Sequence, residues 1–354
     1  MVKQLTNDFL ITLFSASEPR RHRVIFGLLK RQVTVSTEYW GLRYGLLQIS
    51  GLMPRLDKDT FDARIAALEQ AGLLAESGEG QLVLTPAGQE AQAEYAANHY
   101  MPKHLSTLLK VDVLTFMQAF WLANQVVSEV AYSNKKYYPL QIDPRTMLTV
   151  KTWYGNMNSP RLVATWALTI QRFLQRRPQE DADRLVATWV GHETPGLNLE
   201  QLGFPATWTE DDFYFWQIDQ YAIWSEELQR GANTPLKLLW DLVAHRPLLP
   251  NSVQASYNGV IAGRPMDEMV QSRRLKIGTI REHLLTAAIW LPMNDFPYKN
   301  YLTPDVVAHF EQHLTGPIND WEFSMVRTSD DPLEFFLFRL YEIYLTKQEE
   351  AARG

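Results

Sequence analysis

Asn251–Leu291, NSVQASYNGVIAGRPMDEMVQSRRLKIGTIREHLLTAAIWL, carries the most specific residue pattern in the chain and reads as a helix-turn-helix unit. Ser252–Ile261 forms a first helix with Val253, Tyr257 and Ile261 on one face, until Gly263 and Pro265 break the pattern. Met266–Arg273 forms a second, with Pro265 suited to its first turn and Met269 and Val270 facing inward. Leu275–Gly278 makes the turn. From Thr279 onward Ile280, Leu284, Ala287, Ala288 and Leu291 line one side of a third helix.

The opposite side of that third helix is small or polar: Gly278, Thr279, Glu282 and Thr286, flanked by Arg281 and His283, with Arg273, Arg274 and Lys276 just upstream. A helix that reads a major groove has this composition. Short hydrogen-bonding side chains in its first turns reach base edges, and flanking cations hold phosphates. Thr279 and Glu282 also match a T-x-x-E capping box, which would make Glu282 a cap rather than a reader. Two short helices and a tight turn equally suit a unit that is purely structural or binds only protein. The candidate DNA-binding set is Arg273, Arg274, Lys276, Gly278, Thr279, Arg281, Glu282 and Thr286.

The runs SVQASY, GRPMDEM and RRLKIGTIREHLL, above all L-x-x-x-T-I-x-x-H-L from Leu275 to Leu284, resemble the helicase-associated helix-turn-helix domain of some RecQ-type helicases and of YpbB-like bacterial proteins. RHRVIFGLLKRQVTVST near the N-terminus and YYPLQIDPR in the middle also resemble the YpbB-like proteins, so the likeness extends loosely over most of the chain. It implies partnership with a RecQ-type helicase. Lys276 departs from the pattern, since related sequences often place a capping Ser there; the change weakens the cap and adds a positive charge.

At 354 residues the chain can bury a substantial core, and 46% hydrophobic with 21% charged residues is the composition of a globular protein. The net charge of −6 argues against wholesale coating of nucleic acid. Asn251–Leu291 nevertheless holds five Lys or Arg against three Asp or Glu, a local +2 that leaves −8 elsewhere, so DNA affinity should be weak and steeply salt-dependent. There are no cysteines, which excludes disulfides and thiolate zinc sites. Phe9–Ala16 is apolar but short and follows Asp8, so no signal peptide is expected; no run approaches a membrane span, and the expected location is cytoplasmic.

The expected fold is mainly α and multi-domain. Residues 1–100 read as a winged-helix-like domain: a basic helix Arg20–Arg31, a weaker one Tyr39–Gln48, a strong one Asp57–Ala71, then a strand, a Gly turn and a strand before a helix opened by Thr85 and Pro86. The hairpin tip Glu76–Gln81 holds two acids and no base, which favours protein contact or scaffold over a phosphate-gripping wing. Residues 101–246 read as all-helical, with segments Leu105–Val130, Arg161–Gln175, Ala182–Val190, Asp212–Gln229 and Leu236–Ala244. Residues 247–354 hold the helix-turn-helix, a helix from Tyr301 to Leu314 and a terminal helix from Pro332.

Three features invite a chemical reading and have a plainer one. The T-E-D-D run Thr209–Asp212 is explained as N-terminal capping of an apolar helix. The aromatics between Trp208 and Trp224 are mixed with acids rather than Lys and Arg, so core packing explains them better than a single-strand platform. His309 and His313 stand four apart, but no third ligand is apparent and the order is not H-E-x-x-H. No nucleotide-binding, hydrolase or helicase ATPase motif occurs. These readings predict a protein without catalytic activity or cofactor, an accessory factor that touches DNA. A sequence-specific transcriptional regulator and a protein-protein adaptor remain as alternatives.

Overall fold

The computed structural model describes residues 8–353. The fold is mainly helical, and among the described residues sixteen α-helices accompany three short strands. In chain order these are β1 (Arg20–Arg21), α1 (His22–Lys30), α2 (Val35–Arg43), α3 (Lys58–Gln70), β2 (Leu74–Gly78), β3 (Gln81–Leu84), α4 (Pro86–Asn98), α5 (Leu105–Lys110), α6 (Val113–Ala131), α7 (Pro144–Met157), α8 (Leu162–Leu174), α9 (Gln179–Ala187), α10 (Glu210–Arg230), α11 (Pro235–Val243), α12 (Asn251–Ile261), α13 (Met266–Arg273), α14 (Ile277–Trp290), α15 (Pro304–His313) and α16 (Pro332–Arg353). The strands form one sheet in the order β1-β3-β2, with Arg20 opposite Leu82 and Arg21 opposite Gln81 in the antiparallel β1–β3 pair.

Several helix starts follow directly from local sequence. Thr85, Asp143 and Thr234 cap α4, α7 and α11 through their side-chain oxygens, each followed by a proline in the first turn, where the missing N–H costs nothing. Thr209 and Asp212 form a reciprocal capping box at α10, as the T-E-D-D reading expects. Elsewhere the boundaries shift. Arg20 and Arg21 belong to β1, so the basic helix starts at His22, and α2 runs from Val35 to Arg43, earlier than the glycine-containing stretch predicts. The long segment from Leu105 divides at Val111–Asp112. There Asp112 caps α6 by accepting from Thr115 N at 3.1 Å, while its own N–H donates to Ala244 O at 2.9 Å.

The chain divides into two compact units. The first takes in residues up to Ala16, Arg64–Ala75 and Leu84–Arg246. Its centre is aromatic: Phe116, Phe120, Phe215, Tyr221 and Trp224 are almost wholly buried, and Trp121 and Trp189 both donate to Tyr221 Oη, at 2.8 and 3.0 Å. The aromatic run on α10 is therefore core, as its acidic neighbours suggest. Two of those acids are buried with it and fully employed. Asp212 accepts from Tyr100 N at 2.7 Å and contacts His99 Nδ1 at 2.8 Å, and Asp219 accepts from Lys103 N and His104 N at 2.7 and 3.0 Å, so α10 holds the extended segment before α5.

The second unit takes in Ser17–Ala63, Glu76–Val83 and the chain from Pro247 onward. Its core is built around α14, which packs on α2, α12, α13 and α16. Ile280, Leu284, Leu285, Ala287, Ala288 and Ile289 are all buried there, beside Tyr39 and Leu42 of α2 and Phe336, Leu340 and Ile343 of α16. None of the helices among the described residues is long and apolar enough to cross a membrane.

Candidate nucleic-acid interface

The helix-turn-helix of the sequence reading is present as α12, α13 and α14, and the second helix spans Met266–Arg273 as expected. On α12 the inward positions are Val253, Ser256, Gly259 and Val260. Ile261 is 57% exposed, one residue off the face assigned to it from spacing. Gly259 is required for close packing. A Cβ there would stand 2.3 Å from Met269 Sδ, the residue α13 turns inward.

The turn between α13 and α14 is shorter than predicted, because Ile277 and Gly278 already belong to α14. Arg274 ends α13 in the left-handed conformation, φ 53°, and Lys276 is the N-cap of α14 without a side-chain cap bond. This corrects the Thr279–Glu282 capping box. Thr279 lies inside the first turn, so its side chain cannot serve as the cap, and Glu282 stands free of that duty on the exposed surface.

The eight candidate residues separate by environment. Arg274, Lys276, Gly278 and Glu282 are exposed and Thr279 is half-buried beside them. Arg273 is turned back onto α12, where its guanidinium donates to Ser256 Oγ and, at 2.9 Å each, to Ser252 O and Ser252 Oγ. Ser256 Oγ also lies 2.8 Å from His283 Nδ1. Burial, and then the neighbouring Arg273 charge, hold that imidazole below its ordinary pKa. Arg281 keeps only 16% of its side chain exposed, 4.0 Å from the Asp331 carboxylate, with a buried Nε that makes no hydrogen bond.

Thr286 is the plainest correction. It is 6% exposed and donates to Glu38 Oε2 on α2 at 2.8 Å, while Trp290 Nε1 donates to Glu38 Oε1 at 2.9 Å. Its position on the polar stripe of α14 is real, but α2 covers the C-terminal end of that stripe, so Thr286 cannot reach a duplex. Burial raises the pKa of Glu38 against the opposing effect of these two donors.

A second polar tie between α2 and α16 has no counterpart in the sequence reading. Tyr39 Oη donates to the buried Glu342 Oε1 at 2.9 Å, with the Arg339 guanidinium 3.8 Å over the Tyr39 ring and 3.0 Å from Glu342 Oε2. Arg43 reaches Thr346 Oγ1 at 2.8 Å. Burial pushes Glu342 up to about 7, and it pushes Lys347, which donates to Leu291 O at the end of α14, down to about 8. The partners lie some three hundred positions apart, and only a charged residue at an inward helical position could have flagged them.

Of the candidate set, what remains exposed lies in the turn and first turn of α14. Arg264, in the turn before α13, is one further exposed cation that the candidate set omits. Exposed acids accompany it, since Asp267, Glu268 and Glu282 match Arg264, Arg274 and Lys276 one for one. The local excess of +2 therefore resides in Arg273 and Arg281, the two cations that are partly buried. His309 and His313 spend ring nitrogens on Val326 O and His309 O, at 3.0 and 2.8 Å.

No family model matches the chain. No solved structure matches it. The chain is similar to Protein YpbB of Bacillus subtilis (strain 168), with 23% identity over 269 residues that cover 71% of this chain and 74% of that protein, and it is in this sense YpbB-like.

Proposed function

We propose that the chain is a non-enzymatic DNA-binding accessory protein that works with a RecQ-type DNA helicase and touches duplex or forked DNA through α13, the turn and the first turn of α14. One observation carries this reading. Arg274, Lys276, Gly278 and Glu282 project into solvent at the N-terminal end of α14, while Leu284–Ile289 is buried without a break. The N-terminal turn is the part of a recognition helix that meets bases, and a helix N-terminus favours phosphate. The helicase partner comes from the resemblance of the Leu275–Leu284 motif and from nothing in the geometry.

The test is a mobility-shift titration of a forked duplex across a salt series with R274A/K276A. Two lost phosphate contacts should weaken binding at low salt and reduce the salt slope by about 1.8. Unchanged affinity and slope would remove the DNA role. A second reading, an adaptor that binds helicase without contacting DNA, is favoured by the even balance of exposed acids and cations around α14. It requires retention of helicase in nuclease-treated preparations together with indifference to the double variant.

A further inference from the structure

We propose that the segment from Tyr132 to Arg145, in the unit that lacks the helix-turn-helix, is a platform for single-stranded nucleic acid. Tyr132 and Tyr138 stack on unpaired bases, and Lys135, Lys136 and Arg145 hold phosphates. This inference is independent of the duplex contact at α14.

The first support is exposure. Tyr138 is 96% exposed and Tyr132 68%, in a chain whose other aromatic side chains are buried or half-buried, Phe335 at 43% excepted. A tyrosine left wholly in water forgoes the burial that makes aromatics useful in a core, and no ring contact or side-chain hydrogen bond of Tyr138 occurs among the described residues.

The second is rigidity. Between the end of α6 and the start of α7 at Pro144 the segment has no regular secondary structure, yet its backbone is pinned. Buried Gln125 of α6 donates through Nε2 to Tyr138 O at 3.0 Å and accepts from Leu140 N through Oε1 at 2.8 Å, one bond on each side of Pro139. Asn134 donates to Glu129 O and Glu129 Oε2 at 2.9 and 2.7 Å. Tyr132 rests one face on His192, centroids 4.5 Å apart, and that imidazole is itself held 2.8 Å from Glu129 Oε2. The other face is open. Ordering entropy that a flexible loop would lose on binding is already spent here.

The third is charge. Lys135 and Lys136 are exposed and form no ion pair among the described residues, while hydrogen bonds from Thr146, and after them the neighbouring Arg145, also exposed, hold the Asp143 carboxyl below its ordinary pKa. Asp143, within the segment, accepts from Thr146 N at 2.9 Å as the cap of α7; beside the Tyr132 stack stand Glu129, occupied by His192 and Asn134, and Glu193, beyond His192. Aromatic faces interleaved with cations suit a chain that alternates bases and phosphates. An acidic peptide would engage the lysines and leave both faces of Tyr138 unused.

The experiment is fluorescence anisotropy with labelled oligothymidylate on the full chain. Y132A/Y138A should weaken binding by about tenfold, as expected for loss of base stacking, with Y138W restoring it, and an abasic oligomer of equal length should bind the unaltered protein correspondingly worse. The side chains are exposed, so an unchanged circular dichroism spectrum is expected. R274A/K276A should keep its oligothymidylate affinity, which separates failure here from failure of the duplex contact. The proposal is overturned if the unaltered chain does not bind oligothymidylate, if the tyrosine variant binds as well, or if the abasic oligomer does. It is also overturned if a polyglutamate peptide binds with the same dependence on Tyr138 while oligothymidylate does not.

Discussion

Thr286→Val separates the two roles that the sequence and the structure give to one residue. The hydroxyl donates at 2.8 Å to Glu38 Oε2, and Thr286 and Glu38 are 6% and 5% exposed. Valine fills nearly the same volume, so no cavity opens; what is lost is a donor to a buried carboxylate oxygen, worth about 1.5 to 3 kcal/mol. Trp290 Nε1 still holds the other oxygen. Because burial already raises the Glu38 pKa, the stability this group contributes is fully present at acid pH and is lost as pH rises through the raised value. Removing a donor raises that value further, so the penalty of the substitution should be largest at neutral pH and shrink on acidification. Urea unfolding followed by circular dichroism at both pH values measures it, and duplex affinity of the folded variant should equal that of the unaltered chain. Stability within about 0.5 kcal/mol of the unaltered chain at neutral pH, the scatter of ordinary surface changes, combined with weakened duplex binding, would refute the buried assignment.

Glu342, raised from 4.5 to about 7 by burial, contributes stability that is complete below its unfolded value and is lost as pH rises through about 7. Glu342→Gln should therefore flatten the unfolding free energy between those limits, where the unaltered chain should lose up to roughly 3 kcal/mol; a parallel pH curve would contradict it. Arg273→Ala should cost about 1 to 2 kcal/mol of stability by releasing Ser252 and Ser256 on α12 while leaving the salt slope of duplex binding intact, and a slope lower by about 0.9 would place Arg273 on a phosphate instead. Gly88→Ala should destabilise by about 3 kcal/mol or more in thermal unfolding, because its Cβ would stand 2.0 Å from the backbone oxygen of Leu73, which has no rotamer to change; an unchanged midpoint would show that this turn can shift.

Local chemistry made much of the fold legible. Thr85-Pro86 and the T-E-D-D cap each satisfy helix-start groups within four residues, so nothing distant can overrule them. The acids interleaved with the α10 aromatics likewise pointed to a core. Asp212 and Asp219 proved to be ties for the neighbouring segment, a role that charge alone could not reveal because their partners are backbone N–H groups of residues 100–104. Tyr138 was missed for the converse reason. Its spacing in an extended, proline-containing strap has no period from which exposure can be read, and the Gln125 clamp is visible only in three dimensions.

The helical period of Thr279–Leu291 identified an apolar and a polar side of α14, and helix-turn-helix architecture supplied the assumption that the polar side faces solvent. Periodicity cannot test that assumption, because a polar stripe can instead meet a second polar stripe. On α14 this happens. Glu38 of α2 offers a carboxylate to Thr286 and Trp290, making the C-terminal half of α14 buried on both sides, one apolar and one hydrogen-bonded. Arg273 and Arg281 are drawn inward at the other end, toward Ser252 and Ser256 and toward Asp331. The surface left for a duplex is thus about one helical turn long and carries Arg274 and Lys276. A duplex contact of that size, with two phosphates at stake, would give a small salt slope, in place of the steep one expected from the sequence, and modest affinity by itself. Under the proposed function, stable engagement of DNA then requires a second contact elsewhere, from a partner protein or from another surface of this chain.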